Sequence, residues 1–273
     1  MVYKGKRITG MNILQQIFEH KKQEIAKAKN RLPESELRGE AFSYRERRPF
    51  FKRLEKPGAA GINVIAEIKR ASPSKGIIRP DLDVIKYASD YELGGASALS
   101  VLTDSRYFKG SVEDLKKARK TTSLPVLRKD FLISSYQIYE SSAMGADAVL
   151  LIVRILSRQQ LKDYIDLCTK IGMDVLVETH SKEDIEAATS AGAKLIGINN
   201  RNLSSFETDV EISARLASLL TPDQVAVAES GIKSREDIEK LMDAGIRNFL
   251  IGESLVKTVD ARAFLRVLLG AKL

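Results

Sequence analysis

The stretch VIAEIKRASPSKGII, residues 64–78, decides how the rest of the chain is interpreted. Residues 64–68 are apolar and largely β-branched apart from Glu67, which predicts a buried strand. Because side chains alternate along a strand, Glu67 and Lys69 project to the same face. A carboxylate and an ammonium are costly to bury unless they pair or serve a function. The stretch therefore holds either a structural ion pair at a strand end or part of a functional site.

After Gly61 the sequence alternates between strand-like and helix-like segments. The strand-like runs are INVIAEIK, SALSVLT, LPVLRKDF, DAVLLIV, DVLVET, KLIGINN, QVAVAES and NFLIGES. The helical patterns cover residues 81–93, 112–120, 136–144, 158–171, 182–190, 210–219, 235–244 and 261–269. Gly95, Gly145, Gly192 and Gly245 each follow a predicted helix and precede the next strand, which is typical of left-handed C-caps.

Eight nearly continuous apolar strands, each followed by a helix, predict a parallel (β/α)8 TIM barrel of the α/β class. The alternative is an open, doubly wound sheet. That fold would favour a glycine-rich phosphate loop after the first strand, and KRASPSKG is polar and stiff rather than glycine-rich. We therefore expect residues 62–273 to form a single catalytic barrel domain.

Residues 1–61 precede the repeat and are expected to form a helical extension packed on the barrel. Apolar residues recur at helical spacing within residues 11–29, and Pro33 ends this segment. A second short helix is predicted at residues 50–56. The amphipathic pattern suggests that the extension partly roofs the site.

Composition excludes several classes of protein. The 273 residues are 44% hydrophobic, which suffices for one large core. Cys168, expected in the core, is the single cysteine, so a disulfide framework and a cysteine-based metal site are excluded. The two histidines are too few for most zinc sites, and we expect neither a metal nor a cofactor. Without a signal-peptide pattern or a long apolar run, the chain is expected to be cytoplasmic, without membrane contact.

The formal net charge is +8. The basic clusters RERR and KKARK are short and lie where solvated helix faces are expected, without interleaved aromatic residues or a recognition motif. These features argue against nucleic-acid binding. A positive field instead favours a small anionic substrate.

Polar residues recur where the predicted strands end, and the carboxyl ends of barrel strands form the working site. These residues are Glu67, Lys69, Lys129, Glu178, Asn199, Arg201, Glu229 and Ser230. Ser230-Gly231 and Gly252-Glu253-Ser254 end strands seven and eight, where barrels often hold a phosphate, although these glycines could also serve only as turns. Lysine and glutamate together provide acid–base candidates, so we expect acid–base chemistry on a phosphorylated small molecule. His180 is expected to lie in a loop or behind the site.

The motifs AEIKRASPSKG, SVLTDSRYFKGS, LRKDF, DAVLLIV, GINNR, AESGI and LIGESL closely resemble the indole-3-glycerol-phosphate synthase family. The resemblance runs from about residue 48 to the C-terminus. It implies a (β/α)8 barrel with an N-terminal helical extension. It also implies conversion of 1-(2-carboxyphenylamino)-1-deoxyribulose 5-phosphate to indole-3-glycerol phosphate, carbon dioxide and water in tryptophan biosynthesis. No metal or cofactor is implied, and other enzymes of the pathway are candidate partners.

The resemblance also implies residue roles. Lys129 matches the general acid for the ketone, and Glu67 with Lys69 matches the pair used in dehydration. Glu178 matches a further acid–base carboxylate, supported by Asn199 and Ser230. The positions matching the substrate pocket are Ser72, Phe108, Phe131, Leu150, Ile152, Arg201, Gly231, Gly252, Glu253 and Ser254. Because Phe131 shares the face of Lys129, we expect an apolar wall that lowers the pKa of Lys129.

Small departures from the family pattern leave the proposed catalytic residues untouched. The loop after strand six reads NNRNL where many members have NNRDL, and SLV replaces SLM after Gly252. The related phosphoribosylanthranilate isomerase is a rival, but that family has a cysteine at the end of strand one, where Glu67 and Lys69 stand here. A nucleic-acid-binding barrel would explain the positive charge and leave the buried carboxylates unexplained.

Overall fold

Eight parallel strands form a closed barrel in the computed structural model, which describes residues 13–43, 46–202 and 207–271. The strands are β1 (Asn63–Ile68), β2 (Ala98–Leu102), β3 (Val126–Lys129), β4 (Ala148–Ile152), β5 (Asp174–Thr179), β6 (Leu195–Asn199), β7 (Val225–Glu229) and β8 (Asn248–Ile251). β1 closes the barrel by pairing in parallel with both β2, through Ile65 and Ala98, and β8, through Asn63 and Asn248. The prediction of a (β/α)8 barrel is confirmed, and the open sheet is excluded.

The strands are buried on both faces, which explains their nearly continuous apolar sequence. Inward-facing side chains such as Ile65, Leu127 and Leu176 fill the barrel interior. The outward-facing side chains form larger clusters with the surrounding helices. The interior is thus a packed core, and the open space lies at the carboxyl ends of the strands, which we call the mouth.

The helices follow the predicted periodicity closely. They are α1 (Ile13–Arg31), α2 (Glu34–Ala41), α3 (Phe50–Leu54), α4 (Val84–Gly94), α5 (Val112–Thr121), α6 (Ser135–Ala143), α7 (Arg158–Ile171), α8 (Lys182–Ser190), α9 (Glu211–Ala217), α10 (Arg235–Asp243), α11 (Glu253–Lys257) and α12 (Ala261–Leu268). The predicted bounds of the helix at residues 158–171 coincide with those of α7. Gly95, Gly145, Gly192 and Gly245 all have positive φ, as expected for left-handed caps.

Three elements were not predicted from the sequence. The loop at residues 72–76 lies in a hairpin whose two-residue strands are Ala71–Ser72 and Gly76–Ile77. The short helix α11 follows β8 directly. Helix α2 has little apolar periodicity of its own, and it is stabilised by packing Leu37 and Ala41 against Tyr136 and Tyr139 of α6.

The helices before β1 contact both ends of the barrel. Phe50 and Leu54 of α3 are fully buried in the same cluster as the barrel interior, and the Phe51 amide donates to Asp174 at the start of β5. Helix α3 therefore packs against the amino ends of the strands. In contrast, Ile13, Leu14 and Ile17 of α1 lie at the mouth. Among the described residues, no helix combines the length and the apolar character needed to cross a membrane.

Candidate active site

The mouth holds a cavity that brings together side chains from many strands. Glu67, Lys129, Glu178, Asn199 and Glu229 come from β1, β3, β5, β6 and β7. Of the residues singled out in the sequence, those that line the cavity are Glu67, Lys69, Ser72, Phe108, Lys129, Phe131, Leu150, Ile152, Glu178, Asn199, Arg201, Ser230, Gly231, Gly252 and Glu253. Ser254 lies outside this lining, and its hydroxyl donates to the Ile232 carbonyl at 3.1 Å.

Lys129, Glu178 and Glu229 form the polar bottom of the cavity, which we call the floor. Lys129 lies at its centre. Its Nζ is 3.1 Å from Oε2 of Glu178 and 3.2 Å from Oε2 of Glu229. The two carboxylates are nearly inaccessible to solvent, with side chains 5% and 2% exposed, whereas the lysine side chain is 14% exposed toward the cavity. Lys129 is therefore positioned to contact a bound molecule while two buried acids hold its ammonium.

The expectation that an apolar wall lowers the pKa of Lys129 is wrong. Burial does act in that direction, but the surrounding carboxyl groups of Glu229, Glu178 and Glu67, which share fewer than three negative charges, outweigh it and raise the pKa well above its ordinary value. The sequence-based expectation considered only Phe131 on the same strand. The opposing carboxylates come from other strands, so the side-chain alternation of β3 alone does not reveal them. Lys129 is thus a charged proton donor at neutral pH.

The two acids beside Lys129 differ in their protonation. Although burial opposes it, the Lys129 ammonium lowers the pKa of Glu178 to about 2. Burial, with the neighbouring charge of Glu178, raises the pKa of Glu229 to about 8. One ammonium cannot fully compensate two buried carboxylates, so one of them retains its proton. The floor therefore combines a charged donor, a carboxylate and a neutral acid.

Glu229 is the functional candidate to which the sequence analysis assigns no role. It ends β7 and was recognised as a polar strand end, but the resemblance provided no role for it. A signal was present in the GIN motif of β6: a Cβ on Gly197 would lie 2.1 Å from Oε1 of Glu229. The glycine makes room for this carboxyl group, so the motif and the acid belong to one arrangement.

Glu67 and Lys69 form the ion pair that strand alternation predicted. Lys69 Nζ lies 2.5 Å from Oε1 of Glu67, and both side chains border the cavity. The structural alternative is weakened by this placement, because the pair faces the same space as Lys129. A pair of this kind can exchange a proton with a bound molecule or bind an anionic group.

An apolar wall covers the side of the cavity next to Lys129. Phe108 and Phe131 are in contact, with ring centroids 6.0 Å apart and planes tilted by 42°. Leu150 and Ile152 of β4 extend this wall at the strand ends, and Ile17 of α1 also lines the cavity. Such a surface suits a flat aromatic ring.

The opposite side of the cavity has polar loops and unusual backbone geometry. Ser230 has φ +66° and Gly231 has φ +82°, so two consecutive residues occupy the left-handed region. This conformation is uncommon for a residue other than glycine, and such strain clusters at functional sites. Arg201, two residues after the end of β6, donates to Ser74 of the hairpin at 3.0 Å and reaches toward Glu253 at 3.9 Å. A guanidinium and a strained serine–glycine turn therefore line one region.

His180 lies behind the site, as expected, with its side chain 4% exposed. Its Nε2 is 3.4 Å from Oε1 of Glu178, and its Nδ1 is 3.9 Å from Asp184. Burial lowers the pKa of His180 below its ordinary value. Cys168 is fully buried in the core between α7 and the barrel, which confirms the sequence-based expectation. In the parts of the chain that the structure describes, no group of three or more His, Cys, Asp or Glu residues could hold a metal ion.

Solved structures share the fold at low sequence identity. The alpha subunit of tryptophan synthase from Legionella pneumophila aligns with a TM-score of 0.60 at 15% identity, covering 82% of this chain and 98% of that one. An N-acetylmannosamine-6-phosphate 2-epimerase from Clostridium perfringens aligns with a TM-score of 0.59 at 14% identity, covering 78% and 93%. At these identities the similarity supports the barrel fold alone.

Sequence comparisons identify the family. The model of the family described as indole-3-glycerol phosphate synthase matches residues 14–268. A protein of that name from Desulfosudis oleivorans is 58% identical over 259 residues, covering 94% of this chain and 98% of the relative. Another from Syntrophobacter fumaroxidans is 52% identical over 260 residues, covering 95% and 98%. The chain belongs to the indole-3-glycerol phosphate synthase family.

Proposed function

We propose that this chain converts 1-(2-carboxyphenylamino)-1-deoxyribulose 5-phosphate to indole-3-glycerol phosphate, carbon dioxide and water. The observation that carries the assignment of roles is the charged Lys129 held by Glu178 and Glu229 beside the Phe108–Phe131 wall. The names of the relatives support the reaction, and the cavity provides the groups that its steps require.

Ring closure is assigned to Lys129. As the aryl carbon bearing the carboxylate attacks the ketone carbon, negative charge develops on the ketone oxygen. The Lys129 ammonium stabilises this charge and donates a proton, which yields a hydroxyl group. Loss of carbon dioxide leaves the electron pair of the broken carbon–carbon bond in the ring and restores its aromaticity. The apolar wall holds the ring, so much of the rate arises from the folded-back geometry of one molecule.

Dehydration is assigned to Lys69 with Glu67. The hydroxyl formed in the first step must leave as water, and a proton must leave the adjacent carbon to form the new double bond of the indole. The Lys69 ammonium can protonate the departing hydroxyl, and Glu67 can accept the proton that leaves the adjacent carbon. Passing that proton from Glu67 to Lys69 across their 2.5 Å contact then restores both groups. Before decarboxylation, Lys69 also binds the substrate carboxylate. Glu178 serves as a further acid–base carboxylate, and the hydrogen bond from Asn199 orients it. Ser230 is assigned a supporting role from the resemblance to the family.

Phosphate binding is assigned to the strand ends opposite the apolar wall. Ser230-Gly231 after β7 and Gly252-Glu253 after β8 line the cavity and supply backbone groups, with Ser72 and Arg201 beside them. The strained backbone at Ser230 supports a binding role for this turn. The substrate then lies across the mouth, with its ring on Phe108 and Phe131 and its phosphate near Gly231 and Gly252.

The decisive experiment is to add this substrate to the purified chain and follow indole absorbance. We expect the absorbance to rise together with release of one carbon dioxide per product, and inorganic phosphate to inhibit competitively. Substrate consumption without an indole signal would contradict the proposed reaction, whereas a parental rate in the Lys129→Met variant would contradict the role assigned to Lys129. Cytoplasmic location, independence from cofactors and association with other enzymes of tryptophan biosynthesis stay predictions from the sequence and the family.

A further inference from the structure

Lys21 is a buried lysine outside the catalytic floor. It lies on α1, and its side chain is only 4% exposed. Its Nζ is 2.9 Å from Oδ2 of Asp104, 2.9 Å from Oδ1 of Asp130 and 2.7 Å from Oε2 of Glu24. A buried ammonium is stable only when it is paired in this way. Lys21 therefore joins the helix before the barrel to the ends of two barrel strands.

Each of the two aspartates positions part of the apolar wall. Oδ1 of Asp104 accepts from the amides of Tyr107 and Phe108, at 2.6 and 3.3 Å, and so closes the turn that presents Phe108. Oδ1 of Asp130 accepts from the Phe131 amide at 2.8 Å. Asp130 also follows Lys129 directly in the chain. The contacts of Lys21 thus meet at the two residues that hold the aromatic pair.

Helix α1 adds its own side chains to the same cavity. Ile13, Leu14 and Ile17 line it, and Ile17 is itself buried. Lys21 is four residues after Ile17, so the two side chains share one face of the helix. If Lys21 is released from the aspartates, the part of α1 that covers the cavity loses its ionic attachment to the mouth.

We propose that Lys21 is a positioning residue that fixes α1 against the Phe108–Phe131 wall and thereby sets the affinity for the aryl half of the substrate. The inference rests on the proposed function. If it is correct, replacing Lys21 must weaken binding of the substrate even where the variant remains fully folded. Lys21 does not itself line the cavity, so its effect acts through Ile17, Phe108 and Phe131.

The test compares Lys21→Met with Lys22→Met. Lys22 is adjacent on the same helix, about half exposed, and paired with Glu19, so its replacement controls for the loss of one positive charge. For Lys21→Met we expect KM and the Kd of indole-3-glycerol phosphate to rise by about tenfold or more, with kcat within a few-fold of the parent. The inhibition constant of inorganic phosphate should stay unchanged, because the ion pairs of Lys21 in the described part of the chain are with Glu24, Asp104 and Asp130, away from the proposed phosphate loops. Lys22→Met should match the parent in all four constants.

Asp104→Asn provides an independent variant. The amide oxygen can still accept from Tyr107 and Phe108, whereas the charge beside Lys21 is lost. KM should rise in Asp104→Asn as it does in Lys21→Met. In the double variant, the loss of binding free energy should be smaller than the sum of the losses in the two single variants. If Lys21→Met does not fold, Asp104→Asn decides the question.

Two failures are distinguishable. Each variant is assayed at a temperature below its own midpoint of thermal unfolding. If Lys21→Met or Asp104→Asn then has a lower midpoint but the parental KM, the Lys21–Asp104 ion pair only stabilises the fold, and the inference is overturned. Failure of the proposed function would instead appear as absent turnover in the parent and in Lys22→Met alike.

Discussion

A Cβ atom on Gly252 would lie 2.5 Å from Oε1 of Glu67. The backbone φ of Gly252 is −129°, so its conformation does not demand glycine, and the requirement comes from the neighbouring carboxylate. From the sequence, Gly252 was expected to allow close approach of a phosphate. The structure adds a second reason, because any side chain there would displace the carboxylate that pairs with Lys69.

We therefore predict that Gly252→Ala lowers kcat as well as substrate affinity. Displacing Glu67 by even a fraction of an ångström breaks the geometry of the Glu67–Lys69 pair, and we expect kcat to fall by about 10²-fold. Steady-state kinetics measure both constants. Gly39→Ala is the matched control, since a Cβ on Gly39 of α2 meets no atom within 4 Å. A raised KM with parental kcat would mean that Gly252 affects binding alone.

The raised pKa of Glu229 predicts a pH-dependent stability. The folded state retains a proton that the unfolded state releases above about pH 4.5, so this residue's contribution is fully present at acid pH and is lost as the pH rises toward 8. The pKa of Glu178 is lowered instead, so the stability that Glu178 contributes is lost only as the pH falls toward 2. Between pH 5 and 8 the Glu229 effect therefore dominates this pair.

Glu229→Gln removes that titration and should flatten the stability profile. Relative to the parent, the free energy of unfolding of the variant should increase from pH 5 to pH 8 by at least about 1 kcal/mol, since a tenfold change in proton affinity corresponds to about 1.4 kcal/mol. Urea unfolding at the two pH values provides the measurement. Equal pH dependence in parent and variant would show that Glu229 is ionised across this range.

Truncation before Pro33 should weaken substrate binding without unfolding the barrel. This deletion removes α1, and with it Ile13, Leu14 and Ile17 from the cavity wall, but retains α2, which covers Tyr136 and Tyr139 of α6. We expect KM to rise by about tenfold or more with a smaller change in kcat. Circular dichroism checks the fold, and kinetics check the prediction. Parental KM in the shortened chain would assign α1 a purely structural role.

The sequence predicted the fold because each strand and helix carried its own periodicity, as α7 illustrates. It also placed Glu67, Lys129, Glu178 and Asn199 at one mouth, since parallel strands end at the same side of a barrel. Contacts between distant segments were not predictable in this way. The ion pairs of Lys21 with Asp104 and Asp130 join residues more than eighty positions apart, and no local pattern marks them.

Two further features, the protonation of Lys129 and the formation of helix α2, were not predicted from the sequence for a similar physical reason. The protonation of Lys129 depends on carboxylates from β5 and β7, so reasoning from Phe131 on its own strand gave the wrong direction. Helix α2 depends on packing against α6 rather than on its own sequence, and it was therefore missed. Local signals determined the architecture, whereas the electrostatics of the floor follow from the assembled barrel.

The central claim is that Lys129 is the acid of ring closure and that Lys69 cannot replace it. Lys129 is held by Glu178 and Glu229 beside the apolar wall, while Lys69 pairs with Glu67. The most direct test is steady-state kinetics of Lys129→Met and Lys69→Met with a binding assay for each. We predict that Lys129→Met lowers kcat by about 10³-fold with nearly unchanged affinity, and that Lys69→Met impairs both. A Lys129→Met variant that retains more than roughly a tenth of the parental kcat would contradict the account.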